Sequence, residues 1–155
     1  MVAGNSRSSE AALAAASAPR ERLWGAVVAL EGAIAAPAPG RVEAWRKLAS
    51  DRLRGVSDAW NEHITITEAD DGLFAEIMGL APRLAHAIER LRREHESLRA
   101  AISASSVRLD AVVDEPGVDM SRADLLDLIA LLSRHRHRGV DLVYDAYNTD
   151  ISAGD

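Results

Sequence analysis

Apolar residues recur at three- and four-residue intervals along most of the chain, the spacing of helices that each bury one face. Leu23, Val27, Leu30 and Ile34 form the first stripe. With Ser17 as cap, Pro19 in the first turn and Glu21 behind it, the pattern predicts a helix over 20–35, ended by Ala36-Pro-Ala-Pro-Gly40. Trp45, Leu48, Leu53, Val56 and Trp60 predict a second helix over 41–63. The β-branched run Ile64-Thr-Ile-Thr67 and the turn-like Asp70-Asp-Gly72 then predict a break or a short extra helix. Pro82 opens a third helix over 82–103, which carries Leu84, Ile88, Leu91, His95, Leu98 and Ile102. Residues 103–106 and Asp114-Glu-Pro-Gly117 read as connection. Ser121 and Asp124 make a capping-box-like start to a fourth helix over 121–147, with Leu125, Leu128, Leu132, His135, Gly139 and Leu142 along it.

Few alternating patterns compete with these stripes, so the fold expected is all-α, an antiparallel up-down four-helix bundle. It would occupy residues 19–151. Residues 1–18, which beyond Met1 hold only Val2 and Leu13 as larger apolar side chains, are expected to be a flexible N-terminal tail, and residues 152–155 a C-terminal one.

Three of the five histidines fall on the apolar seams. His95 lies four residues after Leu91 and three before Leu98; His135 follows Leu132 by three and precedes Leu142 by seven; His63 follows Trp60 by three. His86 and His137 sit two residues off a seam, roughly 200° around the helix, and are expected to be exposed. A buried imidazole needs partners for two ring nitrogens, and helices consume their own backbone groups. A shared cation would satisfy three such rings together, neutral imidazole being a common ligand. The alternative is three separate core imidazoles, each bonded to a neighbour. Glu31, four residues after Val27 and three before Ile34, is the first helix's candidate carboxylate.

Composition narrows the function classes. The 155 residues are 48% hydrophobic and 27% charged, the balance of an ordinary globular chain. The absence of cysteine excludes disulfides, thiolate metal sites and thiol nucleophiles. Eighteen basic against 24 acidic residues, net charge -6, argues against nucleic acid as a partner, and Arg134-His-Arg-His-Arg138 lies beside Asp141 and Asp145 without interleaved aromatics. No apolar run reaches the ~20 residues that span a bilayer. Nor does the alanine run 11–16 follow a basic segment, so no membrane partner and no leader is expected, and the location expected is cytoplasmic. There is no Glu-x-x-His, His-Glu-x-x-His, Gly-x-Ser-x-Gly or Gly-rich phosphate loop, so no catalytic residue is assigned and enzymatic activity is left open.

Inward histidines on a helical chain, His63 and Glu68 followed by Gly72-Leu-Phe74, Glu94-His-Glu-Ser-Leu98 on the third helix, and the closing segment from His135 to Ile151 together resemble a divergent haemerythrin-like (HHE) domain of actinobacterial type. The resemblance covers residues 20–151 and implies a metal-binding bundle that binds or senses dioxygen, nitric oxide or peroxide at iron, with a small gaseous ligand as its partner. The family's pattern has a histidine on the first helix and carboxylates bridging two irons. Here the first helix has none, leaving Glu31 to substitute; Thr67 follows His63 by four, with Glu68 one step on; Leu91 stands four before His95; and Val140 stands five after His135, beside Asp141. The metal set the resemblance implies is therefore His63, His95 and His135 with Glu31, Glu68 or Asp141. It leaves open a di-iron centre, a reduced mononuclear site, zinc, or no metal. Gly139, one turn after His135, either leaves room beside the ring or serves helix packing, and Tyr144 and Tyr147 either bond ligands from an outer position or pack over the helix ends. The competing function is a metal-free helical module for interaction or homodimerisation.

Overall fold

The computed structural model describes the backbone of residues 3–152 and the side chains of residues 17–148. The elements are α1 (Ala3–Ala35), α2 (Val42–Glu68), α3 (Leu73–Leu80), a 3-10 turn (Pro82–Leu84), α4 (Ala85–Asp110) and α5 (Glu115–Ser152). The chain is all-helical, with no strand among the described residues. No helix there is long and apolar enough to cross a membrane.

Each long helix outruns its predicted span, for a local reason each time. The backbone of α1 is helical from Ala3, because an alanine-rich run has the highest helix propensity and extends a helix already nucleated by packing. The side chains of residues 1–16, in the segment expected as a tail, lie outside the described residues, as do residues 153–155 of the expected C-terminal tail. Helix α2 does not break after His63. It continues to Glu68 with Ile64 and Thr67 buried, and the Thr65 hydroxyl donates to the Asn61 carbonyl at 3.0 Å. Burial on one face outweighs the weak propensity of the β-branched run. The turn that follows requires Gly72, whose N–H donates to the Ala69 carbonyl at 2.8 Å; a Cβ there would lie 2.8 Å from the Thr67 oxygen and closer still to that of Ile66. Helix α4 runs on through the serines to Asp110, with Ser105 buried. Asp114, not Ser121, caps α5: its Oδ1 accepts the Gly117 N–H at 2.8 Å, and Ser121 is buried within the helix.

Helix α1 packs on α2, α2 on α4 and α4 on α5, while α1 and α5 meet sparsely. The buried side chains form two clusters. The larger includes Val27, Leu30, Trp45, Leu53, Trp60, Leu98, Leu109, Leu125 and Leu132. The smaller gathers Phe74, Ile77, Ile88, Leu91, Leu142 and Ala146 around α3.

One polar tie holds the far end of α1. Arg122 donates from Nε to the Ile34 carbonyl at 2.9 Å and from Nη2 to the Ala36 carbonyl at 2.6 Å, with its guanidinium carbon 5.5 Å from the Trp45 ring centre. These carbonyls end a helix and have no partner within it. Arg122→Ala is expected to cost about 1–3 kcal/mol, read as a lowered urea midpoint with an unchanged m-value.

Candidate metal centre

The three seam histidines meet between the two apolar clusters. His63 comes from α2, His95 from α4 and His135 from α5, and one ring nitrogen of each lies within 4.8 Å of the other two. Ring centres are 5.2 Å apart for His63 and His95, 5.7 Å for His63 and His135, and 4.9 Å for His95 and His135. The arrangement follows from helical phase. Leu91 belongs to the smaller cluster and Leu98 to the larger, with His95 between them; Leu132 and Leu142 flank His135 in the same way.

Aromatic rings wall the group in. Trp60 stacks on His63 at 5.2 Å and meets His95 and His135 edge-on at 5.5 and 5.0 Å, while its Nε1 donates to the His95 carbonyl at 3.2 Å. Phe74, brought in by α3, stacks on His95 at 5.6 Å.

Two carboxylates orient the rings from behind. Glu68 Oε1 lies 2.5 Å from His95 Nδ1, and Glu94 Oε2 lies 2.9 Å from His135 Nδ1, each set to accept an Nδ1–H. Such a bond fixes the tautomer and leaves Nε2 as the lone-pair nitrogen. Glu94 is itself held by Arg138 at 2.6 Å and Glu68 by Arg92 at 3.5 Å. The Nε2 atoms of His63 and His95 are buried without any hydrogen-bond partner. An orphaned buried nitrogen is costly, and two on neighbouring rings of one histidine cluster are what a ligand set without its ion would leave.

Electrostatics agree with the geometry. Burial pushes the His63 and His95 pKa down to about 3, each imidazolium being further disfavoured by a neighbouring histidine. Burial also lowers that of His135, against the opposing pull of its bond to Glu94. The rings are therefore neutral near pH 7, the form that ligates.

The carboxylates expected as ligands stand elsewhere. Glu31 is exposed. Val27, Leu30, Ala33 and Ile34 define the buried face of α1, leaving Glu31 roughly 90° off it and ~6 Å along the axis beyond Val27, the residue that reaches the histidines' level. Asp141 is exposed too, one helical step of about 100° from buried Leu142. Glu68 is present but behind His95 rather than within the ligand cluster. The two remaining histidines, His86 and His137, are exposed. Tyr147 donates to Glu76 at 2.6 Å and joins α5 to α3, and Tyr144 is 67% exposed, so neither bonds at the centre. Glu94 is the residue sequence reasoning passed over. Its signal was adjacency: one step of 100° from an inward histidine turns a carboxylate toward the neighbouring helix.

A cavity of about 560 Å³ adjoins the rings at the sparse seam between α1 and α5. All three histidines line it, together with Trp24, Val27 and Leu132 among others. Gly139 also lines it, and a Cβ there would meet nothing within 4 Å, so of the two roles expected for this glycine the structure has the open space.

If the rear carboxylates tune the ligands, Glu68→Gln and Glu94→Gln are each expected to lower metal affinity about 10- to 100-fold, measured by competition with a chromophoric chelator. Glu96→Gln, which touches only Arg99 on the surface, serves as the control and should change nothing.

In comparisons with family models, curated proteins and solved structures, nothing matches this chain.

Proposed function

We propose that the chain is an antiparallel four-helix bundle whose interior binds one divalent first-row metal ion through Nε2 of His63, His95 and His135. The short connections over 36–41 and 111–114 favour antiparallel neighbours. The observation that carries the metal reading is the pair of orphaned, buried Nε2 atoms converging with a third imidazole, two of the three rings being held from behind by carboxylates. Nitrogens bound to one ion at about 2.0–2.1 Å in a tetrahedral set lie some 3.4 Å apart, so rings whose nitrogens lie within 4.8 Å of one another would close by at most about 1.4 Å around it.

Three neutral imidazoles suit iron or zinc and leave at least one position free. The haemerythrin-like resemblance favours iron and, with it, dioxygen, nitric oxide or peroxide as what the open position meets. A two-iron centre is disfavoured, since among the described residues no carboxylate joins the three histidines in a metal-sized cluster. Metal analysis of protein purified without an affinity tag is the test. One iron or zinc per chain, lost in a His63→Ala, His95→Ala, His135→Ala triple variant, is the expected outcome. Two ions per chain overturns the single-ion site in favour of a two-metal centre, and none after incubation with either metal overturns it in favour of the metal-free interaction module, which rests on exposed Val140 and Tyr144 one turn apart on α5.

A further inference from the structure

The cavity beside the histidines is far larger than a diatomic gas requires. At about 560 Å³ it has on the order of 20 water volumes, water taking ~30 Å³ in the liquid, and lies within the size range of small-molecule pockets. Its wall is mostly apolar, built by Leu23, Trp24, Val27, Phe74, Leu91 and Leu132. A site filled only by water would leave this surface wetted at a cost, whereas an apolar body would bury it.

The polar end of the cavity is the histidine group. His95, which lines it, is fully buried and has an unpartnered Nε2. A divalent ion on three neutral imidazoles would keep its whole charge in a low-dielectric setting, because Glu68 and Glu94 sit behind the rings and not on the ion. Its free position therefore prefers an anionic donor. Arg136, lying over the Trp24 ring at 4.3 Å, and Arg20 also line the cavity, with Glu21 the one acidic group among its described lining residues.

We propose that the site binds a small aryl or branched aliphatic monocarboxylate, its carboxylate on the metal ion and its apolar body in the α1–α5 cavity. This rests on the metal reading above and adds to it the class of ligand. No covalent bond of the ligand is made or broken in the binding step, in which its carboxylate would take the ion's free position.

Cobalt(II), whose visible spectrum reports ligand number, is the ion to use, with 4-phenylbutyrate and acetate as probes. Cobalt-loaded protein should bind 4-phenylbutyrate at least tenfold more tightly than acetate, with a change in the visible bands, while cobalt-free protein binds it at least tenfold more weakly. Gly139→Leu and Leu23→Trp each place bulk in the cavity without replacing a metal ligand. Each should retain the cobalt spectrum and lose at least tenfold in 4-phenylbutyrate affinity, with acetate binding unchanged. A chain that never gives a cobalt spectrum refutes the metal reading, and this proposal with it. If cobalt binds, the ligand class alone is overturned by any of three results: acetate binding as tightly as 4-phenylbutyrate, 4-phenylbutyrate binding equally with and without cobalt, or wild-type affinity in both cavity variants.

Discussion

His95→Leu is expected to make the protein more stable without metal and to abolish the stabilisation that metal gives the wild type; a purely structural histidine would produce the first effect with no metal increment to lose. The leucine continues the line from Leu91 to Leu98 and removes a fully buried ring whose Nε2 has no partner. Glu68 loses its imidazole but is about a quarter exposed and keeps Arg92 at 3.5 Å, so little is lost there. In wild type, metal at a hundredfold excess over its dissociation constant adds about 2.7 kcal/mol, which for a chain of this size raises the melting temperature by roughly 5–10 °C. In the variant that increment should vanish with helical content intact. Thermal melts of both proteins, with metal and with chelator, make the comparison. A wild-type melting point that chelator leaves unmoved would sink the metal site.

Acid should unfold the metal-free protein through the same three rings. An unfolded histidine takes up a proton near pH 6.5, whereas burial holds folded His63 and His95 neutral down to about pH 3. Between those values the unfolded state binds more protons, so stability falls as pH falls. The contribution is complete above pH 6.5 and declines through the window by up to about 1.4 kcal/mol per pH unit for each ring. The lowered pKa of His135 acts in the same direction, moderated by Glu94. Urea midpoints at pH 7.5, 6 and 5 should therefore descend steadily, and a flat profile over that range would mean that the rings are not buried as neutral groups. His95→Leu removes one of the titrating groups and should flatten the slope.

The positions of the four long helices and the inward histidines were legible because a 3.6-residue period assigns each side chain a direction from its neighbours alone. His95 between Leu91 and Leu98 could hardly face solvent without taking two leucines with it. The carboxylates were not legible by the same rule. Whether Glu31 reaches the rings depends on its phase and on depth along the axis, and depth is set by how α1 slides against α2, where the ion pair of Arg22 with Glu62 joins the two helices. Glu68 and Glu94 were harder still, since a residue that supports a ligand from behind lies off the seam and resembles any half-exposed acid. Helix ends differ from the periodic pattern where weak helix formers are carried by packing, as at Thr67 and Ser105, or where an aspartate ahead of Pro116 provides an earlier cap than Ser121.

The histidine layer also divides the hydrophobic interior. Below it stand Trp60 and the long cluster; above it stand Phe74, Ile77, Leu91 and Leu142. Three unprotonated rings, two of them with an orphaned Nε2, bind these halves together poorly, so the end of the molecule around α3 is expected to open as a cooperative unit of its own while the rest stays folded. Backbone amides near Ile77 should then exchange with solvent at a lower free energy than those near Leu53 or Leu109. An ion drawn in by side chains from α2, α4 and α5 would rivet the halves into one body, and the chain would pass from unfolding in two steps to unfolding in one.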